Sequence, residues 1–326
     1  MSTRLSDYDY DLPRELIAQH PPRCREDSRM MVLHRAGETI EHRQFRELRA
    51  FLQPGDLLVL NDTRVVPARR FSDDHAVEFL FLERLGPARW KCLVKPGRKM
   101  RVGATARIDD VPLRVETITS DGERIVTLDE DVDLYVGGSM PLPPYIQRPS
   151  DENDEARYQT VFAHEAGAIA APTAGLHFSR EILREIPHTF VTLHVGPGTF
   201  LPVRSEKITE HRMHSERFCI SPETADVINK AHRIIAVGTT TVRTLESARR
   251  KGEKVLAQQG TSNLFIYPSY NFRAVDVLLT NFHLPRSTLL MLVSALAGRK
   301  FLLRAYEEAI RECYRFYSYG DCMLIL

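Results

Sequence analysis

The stretch Arg233-Ile234-Ile235-Ala236-Val237-Gly238-Thr239-Thr240-Thr241-Val242-Arg243-Thr244-Leu245-Glu246-Ser247 decides the fold class. Ile234 to Val237 is an unbroken aliphatic run, the pattern of a strand covered on both faces. From Thr241 to Arg250 the period becomes helical. A strand that passes through Gly-Thr-Thr into a helix points amides and hydroxyls outward. They suit a carboxylate, a phosphate or a ribose oxygen. Arg243 and Glu246 lie three residues apart and share a face; the same residues also suit a threonine cap beside a surface ion pair.

Alternation of strand and helix continues outward from this junction. Phe190–Val195, Asn263–Tyr267 and Val275–Thr280 read as strands, and Glu223–His232, Thr288–Ala297 and Leu302–Tyr314 as helices. Toward the amino terminus, Leu12–Ala18 reads as a short helix, Met30–Leu33 as a strand, His42–Leu52 as a helix and Leu57–Leu60 as a buried strand. Between Thr63 and Ser139 the texture changes. Apolar and polar residues alternate over Ala76–Arg84, Arg89–Val94, Ala104–Ile108, Leu113–Thr119 and Arg124–Leu128, with Gly, Pro and Asp turns between them. Five short strands of this kind predict a small closed or nearly closed antiparallel barrel. The expected fold is therefore α/β: an open mixed α/β domain from residues 1–62 and 149–326, with a β-barrel domain, 63–148, inserted.

A chain of 326 residues favours two domains over one core. Its net charge of +1 advertises no global field for nucleic acid, although a local basic patch suffices where a deep pocket supplies the energy. The polar, acidic start and the absence of a long apolar run predict a cytoplasmic protein with no membrane segment. The five cysteines are dispersed without CxxC spacing and read as reduced thiols. No GxGxxG follows a strand and no GxxxxGK[ST] occurs, so neither the common dinucleotide fold nor a P-loop is supported.

Residues that no core requires crowd into 171–247. They are Ala171-Pro172-Thr173-Ala174-Gly175-Leu176-His177-Phe178, Leu193-His194-Val195-Gly196-Pro197-Gly198-Thr199-Phe200 and His211-Arg212-Met213-His214-Ser215-Glu216, then the junction above. Glycines that allow close backbone approach, beside imidazoles, hydroxyls and an Arg/Glu pair, describe a buried pocket for a polar substrate. His177, His194, His211 and His214 with Glu216 also admit a metal-dependent hydrolase, but there is no HExxH and the surrounding glycines and threonines favour an organic ligand. General acid/base work suits these imidazoles. Thr280-Asn281-Phe282-His283-Leu284-Pro285-Arg286-Ser287-Thr288 places Asn281, His283 and Arg286 on a loop at a strand's end, where open α/β sheets bind ligands. Asn61-Asp62-Thr63-Arg64 reads as an Asx-type turn or as one wall of an interdomain cleft. Of the aromatic run Tyr314–Asp321, Tyr317, Tyr319 and Asp321 are the site candidates, and Phe316 reads as core.

These motifs, with Pro141-Leu142-Pro143-Pro144-Tyr145-Ile146 and Arg157-Tyr158-Gln159-Thr160-Val161-Phe162, resemble those of the S-adenosylmethionine:tRNA ribosyltransferase-isomerase family, in order and over nearly the whole chain. The resemblance implies that the ribosyl part of S-adenosylmethionine is transferred to 7-aminomethyl-7-deazaguanine at the wobble position of GUN-anticodon tRNA and rearranged. Epoxyqueuosine would form, with release of adenine and methionine. It implies no cofactor beyond S-adenosylmethionine, consumed as the ribosyl donor, no metal, and a monomer. On residue chemistry and matched motifs, His194, His214 and Glu216, then His177 and His283, are the acid/base candidates. Thr240, Arg243 and Glu246 would hold methionine or ribose, and Asp62 and Arg64 the nucleobase or anticodon. Thr173, Gly175, Gly196, Gly198, Thr199, Gly238, Thr239, Asn281, Arg286, Tyr319 and Asp321 complete the substrate-binding set. Arg64, Arg69, Arg70, Arg98, Lys99 and Arg101 form an expected basic strip for RNA. The chain departs from the family pattern at a short 70–78 segment, at Pro197 and at Ser269, where a glycine is expected.

Overall fold

The computed structural model describes residues 3–200, 203 and 205–326, with the side chains of 199 and 200 outside the description. The aliphatic runs become the middle of a nine-stranded sheet. Its order is Gln258–Ser262, Glu216–Ile220, His188–Leu193, Asp56–Asn61, Arg233–Val237, Val277–Asn281, Cys322–Ile325, Arg29–His34 and Thr39–Gln44. The four strands from His188–Leu193 to Val277–Asn281 are mutually parallel. Asp56–Asn61, Arg233–Val237 and Val277–Asn281 are buried on both faces, which explains why they read as continuous runs without alternation. One face packs Val59, Ala236 and Leu278 against helices Thr239–Ser247, Thr288–Ala297 and Arg299–Arg311, and the other packs Leu58, Ile235 and Leu279 against Phe45, Phe178 and Leu183. Each fully buried Leu or Val contributes about 1.5–3 kcal/mol.

From Asp56–Asn61 the chain leaves to one side, adds His188–Leu193, and returns on the other side as Arg233–Val237. That reversal is a topological switch point, and the carboxyl ends of these strands open a crevice there. Leu193, Asn61, Val237 and Asn281 therefore end at one edge of the sheet.

A second, six-stranded antiparallel sheet runs in the order Arg69–Phe71, Glu78–Gly86, Arg89–Lys95, Arg124–Leu128, Val111–Ile118 and Thr105–Ile108. It wraps a core of Phe79, Phe81, Trp90, Leu113 and Val126. Its first and last strands approach each other, since the Asp73 amide donates to the Arg107 carbonyl at 3.0 Å and Arg70 bonds Asp109. The sheet is barrel-like and nearly closed, with one strand, Arg69–Phe71, more than the alternation indicated.

Three local expectations are corrected. Residues 42–52 are not one helix: Thr39–Gln44 is an edge strand and Phe45–Phe51 a 3-10 helix. Phe45 and Leu48 are buried at a spacing of three, which either helix type satisfies. Asn263–Tyr267 is not a strand; the neighbouring polar Gln258–Ser262 takes the edge, paired through its backbone to Glu216–Ile220. The helix after Val237 begins at Thr239 behind Gly238, at φ 88°, and no side chain caps it.

Candidate functional site

A pocket sits where the parallel strands end. Thr173, Ala174, Gly238, Thr239, Thr240, Thr280, Asn281, His283, Tyr145 and Tyr317 line it. Its floor is the start of helix Thr239–Ser247. Thr241 Oγ bonds back to the Val237 carbonyl at 2.8 Å and Thr244 Oγ to that of Thr240 at 3.0 Å. These two threonines thus serve the helix interior, and the first-turn amides have no side-chain cap, an arrangement that suits an anionic or ribose oxygen. Gly238 is needed because its φ lies in the region that side chains avoid.

Asn61 ties the strand ends together. Its amide nitrogen donates to the Leu193 carbonyl at 2.9 Å and to Thr240 Oγ at 3.3 Å, and its oxygen accepts from the Leu193 amide at 3.0 Å and the Thr63 amide at 3.2 Å. The sequence placed this asparagine in a turn; its bridging role depends on a strand end and a helix start 132 and 179 residues away.

Beside the pocket, a wider cleft is lined by Asp62, Glu165, Thr192, His194 and Arg217. His194 Nδ1 shares a hydrogen with Thr63 Oγ at 2.9 Å. Burial, then the Arg217 charge, holds its pKa below the ordinary histidine value, so it is neutral at pH 7 and able to accept a proton. Thr192 donates to Asp62 at 2.7 Å, yet burial raises the Asp62 pKa. Gly167 leaves room for the His194 ring: a Cβ there would lie 3.0 Å from Nδ1.

The segment 193–200 joins the two cavities. Val195 lines the pocket, and the next amide, of Gly196, donates to Glu216 at 2.9 Å. The other Glu216 oxygen meets Arg243, each side chain being 4% exposed. Arg243 Nε, fully buried, has no hydrogen-bond partner among the described residues. His214 is exposed and lies over Gly198, where a Cβ would come within 2.7 Å of its ring. The Thr199 side chain lies outside the described residues.

Other candidates are placed elsewhere or already engaged. Glu246 does not pair with Arg243; it accepts from the Arg273 and Ala274 amides and from Tyr270 at 2.9–3.1 Å. His177 is buried between Ser28 Oγ at 2.8 Å and Asn281 Oδ1 at 3.2 Å, and burial pushes its pKa down to about 4. His283 contacts Thr280 Oγ at 2.9 Å, and burial lowers it to about 3. Gly175 packs tightly beneath Phe162, whose ring a Cβ at this position would meet at 2.8 Å. Arg286 is exposed and pairs with Asp9, while Arg64 is exposed. Tyr319 donates to Asp154 at 2.6 Å, and Asp321 accepts the Arg29 and Arg315 amides at 2.8 and 2.7 Å, so both point away from the pocket that Tyr317 lines. Arg70 leaves the basic strip: it is 6% exposed and bonded to the Val136 carbonyl and Asp109.

The four histidines weighed for a metal site keep different partners: Ser28 and Asn281 for His177, Thr63 for His194, Phe265 for His211 and Gly198 for His214. Among the described residues no group of three or more His, Cys, Asp or Glu is placed to hold a metal ion. No described helix is long and apolar enough to cross a membrane. Tyr145, whose ring centroid lies 4.7 Å from that of the expected Tyr317, was the least expected pocket residue. Tyr145 belongs to the Pro141–Ile146 motif, whose prolines gave no chemical hint.

A family profile described as "Queuosine biosynthesis protein" matches residues 5–325. The chain is 51% identical over 348 residues to the S-adenosylmethionine:tRNA ribosyltransferase-isomerase of Symbiobacterium thermophilum, covering 99% of this chain and 100% of the relative. It is 48% identical over 338 residues to the protein of that name from Thermotoga maritima, at 99% and 100% coverage. A crystal structure of S-adenosylmethionine tRNA ribosyltransferase from Thermotoga maritima matches with a TM-score of 0.56 at 40% identity, covering 98% of this chain and 100% of that one.

Proposed function

We infer the activity from kinship: the chain belongs to the S-adenosylmethionine:tRNA ribosyltransferase-isomerase family of queuosine biosynthesis. It is an enzyme that takes the ribosyl group of S-adenosylmethionine, transfers it to tRNA and isomerises it. The acceptor is 7-aminomethyl-7-deazaguanine at the wobble position of a GUN anticodon; the product is epoxyqueuosine, with adenine and methionine released. The observation that carries this reading is the full-length match, supported by a strand-end pocket that Thr173, Gly238, Thr239, Thr240 and His283 line.

The sulfonium acidifies the methylene carbon joined to it. A base removes that proton, electron flow through the ribose expels adenine, which takes up a proton, and the aminomethyl nitrogen forms the new C–N bond. Closure of the rearranged ring breaks the C–S bond and frees methionine. His194, kept neutral beside Thr63, and exposed His214 are the proton carriers. Glu216 and Arg243 position the Gly196 segment. Thr173, Gly238, Thr239 and Thr240 hold ribose or carboxylate oxygens, with Asn281 and His283 fixing the far wall. Asp62 and Arg64 face the nucleobase side. Residues 63–148 act as an inserted barrel domain that helps to seat the tRNA, and the enzyme works as a cytoplasmic monomer with no further cofactor.

Calorimetry with S-adenosylmethionine, followed by adenine release with and without a modified anticodon stem-loop, tests the reading. Saturable binding and RNA-dependent adenine release are expected. Binding without any adenine release in the presence of competent RNA would overturn it.

A further inference from the structure

The outer face of the barrel-like sheet carries a groove that the reaction pocket does not use. Phe71 forms one end, Leu80 and Leu93 the floor, and Lys95 the rim, while Pro144 and Pro197 close the far side. Strand register places these side chains in one patch: Phe71 is opposite Glu78, Glu78 opposite Lys95, and Leu80 opposite Leu93. Phe71 is 39% exposed on an edge strand and lines the groove with Leu80 and Leu93 as one apolar patch. The Arg69 guanidinium lies 5.3 Å from its ring centroid and is held there by Glu78 at 2.7 Å. Lys95 has no ion pair among the described residues.

The groove also borders the reaction site. Within one short segment, Pro144 and Ile146 line the groove while Tyr145 between them lines the pocket. Pro197 lines the groove next to Gly196, which is bonded to Glu216. The groove and the pocket therefore flank the same short segment, 144–146.

We propose that this groove seats unpaired RNA flanking the reacting base, with Phe71 as the platform on which a neighbouring base stacks. The inference rests on the tRNA-modifying reading above. Aromatic and aliphatic walls suit bases, and the Arg69 and Lys95 cations suit the backbone between them. Between the Arg69 guanidinium and the His75 ring, whose centroid lies 6.1 Å away, Phe71 stays 39% exposed, and that exposed surface is what a nucleobase would stack on. The dense apolar floor favours splayed single-stranded bases over a duplex, whose bases are hidden.

The test uses the full-length enzyme, a modified anticodon stem-loop and adenine release. Phe71→Ala should raise the KM for RNA about tenfold or more, the effect of losing one base–aromatic stack. kcat and S-adenosylmethionine affinity should stay within about twofold, and Phe71→Trp should restore the RNA KM. A stem-loop with 2-aminopurine next to the reacting base should lose fluorescence on binding the parent and keep it with Phe71→Ala. Unchanged RNA KM and unchanged quenching in Phe71→Ala, with an active parent, would overturn the subsite alone. An inactive parent would overturn the function and the subsite with it. Concentration-dependent dimerisation abolished by Phe71→Ala would instead assign the groove to a second copy of the chain and also overturn the proposal.

Discussion

Glu216 and Arg243 form an ion pair buried to 4% exposure on each side, and the same carboxylate holds the Gly196 amide at 2.9 Å. A charge so placed is tolerable only with its partner. Arg243→Met should cost about 3–5 kcal/mol of stability, whereas the double variant Glu216→Gln, Arg243→Met should recover most of it. Urea unfolding of the single and double variants checks this. Equal losses in both would show that the charges do not compensate each other.

Gly198 lets the His214 ring lie against the backbone, since a Cβ at 198 would stand 2.7 Å from that ring. Gly198→Ala should displace the ring and lower kcat, and His214→Ala should lower it by about 10²–10⁴, the range for a lost general acid or base. Because His214 is exposed, His214→Ala should melt near the parent temperature. Turnover like the parent's in His214→Ala would remove it from the chemistry.

Burial holds His283 down to about 3 and His177 down to about 4. Unfolded, both return to about 6.5. Their folded values are depressed, so the unfolded chain binds more protons as pH falls below about 6.5. Their stabilising contribution is complete above that pH and is lost progressively down to about 4 for His177 and about 3 for His283. Between pH 7.5 and 5.5 the two should remove about 2–3 kcal/mol. Unfolding free energies at both pH values, for the parent and for His177→Asn, His283→Asn, check the sign. The variant should show the shallower slope.

Ser269 sits at φ 85°, a conformation that favours glycine, in the loop whose amides Glu246 gathers. Ser269→Gly should raise stability by about 1 kcal/mol without altering turnover. A melting temperature equal to or below the parent's would contradict this.

Asn61 is 1% exposed and joins its own strand end to that of Leu193 and to the first turn of the helix at Thr240. Asn61→Leu should leave the Leu193 and Thr63 amides unsatisfied, cost about 2–4 kcal/mol and reduce kcat by loosening the pocket edge. Chemical denaturation and steady-state rates together check it.

The central strands were legible because parallel strands buried on both faces write continuous aliphatic runs, as Leu57–Leu60 and Ile234–Val237 do. Edge strands were not: Gln258–Ser262 pairs through its backbone and carries no apolar face to announce it. Gly238 was readable because a strand-to-helix junction demands its φ. Asn61, Tyr145 and Tyr317 were not readable as one site, since their meeting depends on packing between segments far apart in the chain. The resemblance supplied the chemistry; the residues alone supplied only a polar pocket.

The most direct test of the account is the mass of the RNA product. The protein is incubated with S-adenosylmethionine and a stem-loop carrying 7-aminomethyl-7-deazaguanine, and the RNA and small molecules are weighed by mass spectrometry. The account predicts one free adenine for each ribosyl-derived mass gain on the modified base. A methyl gain, or intact S-adenosylmethionine beside competent RNA and folded protein, would contradict it.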